Sequence, residues 1–512
     1  MLKKHNLIIF LLVLGILPGV ASLFHPGFFP TDDGSWMVIR FSAFYEALRH
    51  GQFPVRFLPR LYSGYGYPVA DFLYPGFMYL GVPIHVVGFS FVNTIKIIFG
   101  GSLICSGIFT YLWLRKFFRV VSAFVGGLVY ALFPYQLYDV YKRGSVGEVL
   151  AMSVVPFIFW QIERKGLVWS GIGIGFLIIA HNTLALLFLP VLIVYMILRK
   201  RAFAWIGKSI LLGLGLSSFF WGPALNDKQF TVFDSTSIAV SSQYFLGPQY
   251  IGLFGGTSLV AILLSGVLCF RQRSSLVTYF LGIVFLGSFF ALPLSLIFWK
   301  LLPLGLFVQF PFRFLSIVAV GVGYIFAVFI DSVPKKLRIF VITIAIILIY
   351  ISAWGFLAPK QFQNYPDTFY STNQDTTTVK NEYMPKWVKR VPENVTGKIA
   401  ADGIVLNITD TGSNILFTVD SRSASTVRIN TVYFPGWEAS VDGKKTVITH
   451  DNPYGFIEVQ IEQGKHIVKI SFRETPVRLL YDTISFLSIV MLLLMSMKNS
   501  LGVFLLSKFG IK

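Results

Sequence analysis

Charge is scarce in this chain and cysteine nearly absent. Only 13% of its 512 residues are Asp, Glu, Lys or Arg, too few to give a soluble domain a wetted surface. The two cysteines, Cys105 and Cys269, both lie in apolar runs, which argues against a disulfide framework or a cysteine metal site. Acidic residues are the scarcer sign, 24 against 43 Lys and Arg, for a net charge of +19. That excess does not describe a nucleic-acid surface. The basic residues fall in short clusters between apolar runs, among them Lys3/Lys4, Arg115/Lys116/Arg119, Arg164/Lys165, Arg199/Lys200/Arg201 and Lys335/Lys336/Arg338. Such spacing is that of a membrane-topology signal. Internal repeats are lacking as well, and with them the usual mark of a solute transporter.

What is present is apolar: 55% of residues are hydrophobic and 17% aromatic. They gather in runs of roughly 15–22, the length that crosses a bilayer, and so predict a polytopic α-helical membrane protein. Lys3-Lys4 and the apolar 7–24 read as a retained first crossing from inside to outside, since Val20-Ala21-Ser22 is a weak processing site. Residues 76–92, broken by Gly81, Pro83, His85 and Gly88, are expected not to cross, because a crossing there would turn every later basic cluster outward. Crossings are expected near 94–114, 121–138, 149–162, 167–180, 183–198, 205–221, 251–270, 275–291, 314–330, 339–357 and 478–497. With the first, that makes about twelve.

The stretch 25–75 interrupts this pattern. It holds adjacent carboxylates (Asp32, Asp33), a helix expected over 36–50, arginines Arg49, Arg56 and Arg60, and a turn containing Tyr65. A loop so long, aromatic and charged is expected to do more than connect. Other polar pieces fall on the same, outer side: 138–148 with Lys142, Arg143 and Glu148, the pair His181-Asn182, the 222–250 loop, and 309–314 with Arg313. Polar groups at membrane depth are costly and usually face a cavity, so a shared outer cavity is expected. Residues 1–357 thus read as the membrane domain and 358–396 as a linker. Alternating, β-branched segments over 397–475, with turns at Asp442-Gly443 and Gly464-Lys465, predict an extracytoplasmic β-sandwich, followed over 476–512 by a final crossing and tail.

Asp32 and Asp33 have two readings. Either Thr31 or one of them caps the following helix, or one is a general base whose neighbour raises its pKa or helps to hold a divalent cation. Nothing in the sequence says which of the two would act. Arg60, Arg143 and Arg313 suit a phosphate, because guanidinium forks two hydrogen bonds and stays charged; the competing reading is structural pairing, for instance Arg143 with Glu148. A lone histidine, His181, is a poor metal site. No cofactor is required, and a divalent cation, held by Asp32 and Asp33 if at all, is left open.

Several of these segments carry a resemblance. Asp32-Asp33-Gly34, GQFPVR at 51–56, GYGYP at 64–68, YKRG at 141–144 with Glu148, His181-Asn182, FPFRFL at 310–315 and EYMP at 382–385 resemble the bacterial membrane proteins called 6-pyruvoyl-tetrahydropterin synthase-related. The β-region, with YFPGW at 433–437 before Asp442-Gly443, resembles that of YfhO-like proteins. Phe312 and Met384 stand where tryptophan and leucine are expected. A first crossing followed by a long acidic outer loop is similar to the layout of GT-C glycosyltransferases.

The resemblance implies transfer of a sugar from a polyprenyl-phosphate donor to a cell-envelope acceptor, a polymer, lipid or protein, on the outer face of the cytoplasmic membrane. Asp32 or Asp33 would be the base and Arg60, Arg143 and Arg313 the phosphate ligands, with Lys142, Glu148, His181, Asn182 and Tyr65 supporting the cavity. The rival expectation is a non-catalytic polyprenyl-phosphate lipid binder, a flippase or assembly scaffold, which needs the arginines but not the aspartates.

Overall fold

The computed structural model describes residues 2–236, 242–271, 274–302, 304–393 and 397–508. The side chain of Cys269 lies outside the described residues, whereas Cys105 carries a free thiol. The chain divides into two units: 1–37, 79–217 and 238–365 form the first, and 38–78, 218–237 and 366–512 the second.

The first unit is helical. Six of its helical segments are long and apolar enough to cross a membrane: Asn6–Phe24, Phe91–Leu114, Val120–Arg143, Val146–Glu163, Pro311–Ser332 and Lys335–Phe356. Glycine lets these helices approach closely. A Cβ on Gly126 would meet the Gly323 carbonyl oxygen at 2.7 Å, and one on Gly127 would meet that of Gly107 at 2.8 Å. Small residues at such crossings replace a hydrophobic driving force that lipid does not supply. With Pro476–Leu494 of the second unit the described residues contain seven such helices, or up to nine if two sharply bent pairs each count as one.

Twelve full crossings are therefore not what the described helices give. Leu167–Ala180 has 14 residues and Asn182–Leu198 has 17. At about 1.5 Å per residue, both fall short of a bilayer core of about 30 Å. The 76–92 region holds an 11-residue helix, Gly76–Val86, far too short to cross.

The second unit is built around a sandwich of eight antiparallel strands: β1 (Ile399–Ala400), β2 (Gly403–Asp410), β3 (Asn414–Ser421), β4 (Ser425–Val432), β5 (Trp437–Val441), β6 (Lys444–Thr446), β7 (Phe456–Ile461) and β8 (Gly464–Phe472). One sheet runs β1-β4-β7, the other β2-β3-β8-β5-β6. Alternation decides what faces inward: Ile415, Phe417 and Val419 are buried while Leu416 is exposed. Asp442 and Gly443 close the β5–β6 hairpin with φ of 53° and 78°, as a tight two-residue turn requires. Gly464-Lys465 is not a hairpin turn. It opens β8, and β7 before it belongs to the other sheet, so the chain passes just ahead of it from one layer to the other.

Residues 25–75, read from sequence as one loop, are split between the units. Phe57 and Phe72 are buried in the sandwich core, Phe57 against Trp437 and Phe472 at centroid distances of 5.5 and 5.4 Å. The described part of the expected linker is likewise divided between the units and held by backbone pairs. Gln363 pairs with Phe28 through both backbone groups in the first unit, and Val232 N–H donates to the Met384 carbonyl in the second.

Candidate functional site

The first unit brings the 25–37 segment onto the end of the span Val120–Arg143. That span closes in a π-helical turn, Asp139–Arg143, stopped by Gly144 in the left-handed region (φ 70°). A side chain at 144 would strike Gly34 N at 2.5 Å, so glycine is what lets the segment lie here. Asp32 N–H then donates to the Lys142 carbonyl (3.1 Å) and Asp33 N–H to that of Arg143 (2.7 Å). Lys96 holds the segment's other end through its Nζ, which donates to the carbonyls of His25 (2.5 Å) and Gly27 (3.0 Å). Sequence reasoning passed over Lys96, although a lysine inside an apolar run is a signal in itself.

The helix Gly34–Arg49 is capped by Thr31, whose Oγ1 accepts from Gly34 N–H at 2.8 Å. Neither aspartate side chain makes a hydrogen bond among the described residues, so both carboxylates stay open to a ligand. Partial burial and the neighbouring Asp33 push the Asp32 carboxyl above the usual carboxylate range, against the opposing pull of Arg143 and Lys142. Its side chain nonetheless reaches solvent.

Beneath lies a buried ionic cluster centred on Glu148. Its Oε1 accepts from Arg143 Nη1 (2.6 Å) and Arg313 Nε (2.9 Å), and its Oε2 from the Tyr135 hydroxyl (2.7 Å). Asp139 takes a second bond from Arg143 Nη1 at 2.8 Å. Arg313 is engaged at every nitrogen, since its Nη2 also lies 2.9 Å from Glu148 Oε1 and its Nη1 donates to Val308 O (2.8 Å) and Gln309 Oε1 (2.9 Å). Arg143 is not. Its Nε and Nη2 meet no acceptor among the described residues, and its guanidinium lies 5.5 and 5.4 Å from the ring centroids of Phe310 and Phe312. Lys142 beside it is exposed. A cleft of about 310 Å³ opens at Lys142, lined also by Pro30, Tyr138, Tyr141, Phe356 and Lys360; Asp32, Asp33 and Arg143 are not in its lining.

The other expected residues are placed differently. His181 caps Asn182–Leu198 through Nδ1 and sets Nε2 3.7 Å from Glu148. Asn182 caps its own turn, its Oδ1 accepting from Thr183 N–H at 2.9 Å. Arg60 belongs to the second unit, where Glu46 (2.7 Å), Ser42, Asn373 and Tyr370 occupy its donors. Tyr65, in the same unit, packs on Phe456 of the sandwich at 5.0 Å, and its carbonyl accepts from Val432 N–H. Asp32 and Asp33 offer two carboxylates to a cation. Among the described residues no group of three or more His, Cys, Asp and Glu is arranged to hold one.

Residues 74–359, more than half of the chain, match the family model described as "6-pyruvoyl-tetrahydropterin synthase related domain; membrane protein". The chain belongs to that family. No curated protein matches it in sequence. Its fold resembles that of the arabinofuranosyltransferase AftD from Mycobacteria, with a TM-score of 0.51 and 15% identity over 72% of this chain. The chain spans only 28% of the length of AftD. The oligosaccharyltransferase of Archaeoglobus fulgidus aligns more loosely, with a TM-score of 0.44 and 14% identity, over 74% of this chain and 61% of its own.

Proposed function

We propose that this membrane protein transfers a sugar from a polyprenyl-phosphate donor to a hydroxyl of a cell-envelope acceptor, on the outer face of the cytoplasmic membrane. The observation that carries the reading is the backbone pairing of Asp32-Asp33 with Lys142-Arg143. It brings two open carboxylates beside a guanidinium with an unused edge. Asp32 or Asp33 takes the proton of the acceptor hydroxyl as its oxygen attacks the anomeric carbon. The bond from that carbon to the phosphate oxygen breaks on the opposite face, with inversion, and polyprenyl phosphate leaves. Arg143 and Lys142 stabilise its growing charge from a preorganised position. Arg313 and Glu148 act behind Arg143, as its support.

The distribution of charge supports the outer placement. The spans flanking Arg115/Arg119 and Arg164/Lys165 carry those clusters at the ends opposite the Arg143 turn, and basic clusters mark the inner side. A lipid handler without chemistry would use the same guanidinium and cleft but leave the aspartates idle. The test is to offer the purified protein a panel of polyprenyl-phosphate hexoses and pentoses and follow free polyprenyl phosphate by mass spectrometry. Release from one donor supports transfer, with water as a slow acceptor.

A further inference from the structure

The 222–250 loop, expected to reach the site, takes no part in the chemistry proposed above. Its last residues, 242–250, belong to the first unit and bring a side chain there. The chain at 250–255 lies against the short helix Pro134–Tyr138. Gly255 permits this approach: its φ is 68°, and a Cβ there would meet Pro134 Cγ at 2.8 Å. Tyr250 N–H donates to the Gly247 carbonyl at 3.0 Å, and the Tyr250 ring meets that of Tyr138 edge-on, with centroids 6.4 Å apart.

These rings join the wall around Arg143. Phe312 packs on Tyr250 at 5.4 Å and on Tyr138 at 6.2 Å, and lies 5.4 Å from the Arg143 guanidinium. Tyr138 stands about one helical turn before Lys142, whose carbonyl accepts from Asp32 N–H. Both phenols are thus near enough to the open carboxylate of Asp32 and to Arg143 to feel their charges. Their hydroxyls meet each other and no further hydrogen-bond partner among the described residues. Tyr138 is nearly covered, whereas Tyr250 is half-buried.

Packing alone would be served by phenylalanine, as it is at 310 and 312. Two hydroxyls beside a carboxylate and a guanidinium need a polar partner once a ligand displaces water from them. On the reading of sugar transfer, on which this inference rests, that partner has a place. Base and leaving phosphate flank the anomeric carbon on opposite faces, so the sugar occupies the space that Asp32 and Arg143 border. The two phenols border it as well. We propose that Tyr250, held by Tyr138 and Phe312, hydrogen-bonds a hydroxyl of the donor's sugar and so selects among sugars, leaving the lipid phosphate to Arg143. A phenol suits this task, with an apolar face for the C–H side of a sugar and a hydroxyl that both gives and takes a hydrogen bond.

The test uses the full-length protein in detergent and Tyr250→Phe, which keeps the ring and removes only the hydroxyl. Affinities are measured for bare polyprenyl phosphate and for a panel of polyprenyl-phosphate hexoses and pentoses. In the variant, affinity for the bare lipid should equal that of wild type. The advantage of the favoured sugar over the bare lipid should shrink about twofold to tenfold, the worth of one neutral hydrogen bond. An advantage kept in full, or a bare-lipid affinity that falls by the same factor, would overturn the sugar contact. Because these are binding measurements, they separate the contact from the chemistry. No turnover by wild type, with the advantage still reduced in Tyr250→Phe, would remove transfer and keep the contact. Turnover that depends on Asp32 and Asp33, with the advantage intact in Tyr250→Phe, would keep transfer and remove the contact.

Discussion

The backbone N–H of Asp33 donates to the carbonyl of Arg143 at 2.7 Å. This bond joins the segment after the first span to the turn that ends the third, across 110 residues of sequence. The proposed chemistry depends on it, because it sets open carboxylates next to the one phosphate candidate with an unused guanidinium edge.

Gly144→Ala tests that joint. The left-handed backbone alone costs an alanine about 1–2 kcal/mol. Its Cβ would also strike Thr31 and Gly34 and push the Asp32-Asp33 segment away. Donor turnover should fall by more than about tenfold. The sandwich, which belongs to the other unit, should keep its protease resistance.

Two of the candidate phosphate arginines, Arg143 and Arg60, should behave unequally. Arg143→Ala removes charge-assisted bonds worth about 1.5–3 kcal/mol, so polyprenyl-phosphate affinity should drop roughly tenfold to a hundredfold. Arg143→Lys should recover little, because a lysine has no fork. Arg60→Ala should leave that affinity unchanged and lower the melting temperature. Lipid titrations of the three variants distinguish these outcomes.

Glu148 accepts from two guanidinium groups with no solvent exposure. Breaking a buried pair from one side costs about 3–5 kcal/mol. Glu148→Ala should therefore be strongly destabilised in thermal scans. Glu148→Gln, which keeps one acceptor oxygen, should retain the fold and lose affinity for polyprenyl phosphate as Arg143 loses its anchor.

The pH profile carries a sign. A general base must be ionised, so turnover should fall as pH drops through the pKa of Asp32, and that fall should begin above the usual carboxylate range. Asp33→Asn removes one cause of the rise and should move the acid limb to lower pH. Lys142→Ala removes an opposing charge and should move it higher. An acid limb unmoved by both would show that Asp32 is not the titrating group.

Much of this was legible in the sequence, and the reasons differ from place to place. Apolar run lengths marked the long spans, and alternation around Asp442-Gly443 marked the sandwich, because both follow from local periodicity. The same logic did not reveal that Phe57 and Phe72 leave the 25–75 stretch to complete a core with Ile415 and Val468. Burial against a partner more than 300 residues away leaves no local pattern. Nor did it rank the arginines: Arg60, Arg143 and Arg313 look alike in sequence, and only their acceptors (Glu46 for one, Val308 and Gln309 for another) tell them apart. Thr31 was weighed with the aspartates as a cap, and the hydrogen bond to Gly34 gives it that role.

The most direct measurement pairs turnover with binding in one double variant. Wild type and Asp32→Asn/Asp33→Asn would be given the same polyprenyl-phosphate sugar, with bound lipid and released polyprenyl phosphate both quantified by mass spectrometry. The account predicts that the variant binds the donor as wild type does but releases no polyprenyl phosphate. Equal release by the variant, or full cellular activity without the two carboxylates, would contradict it and leave a lipid handler.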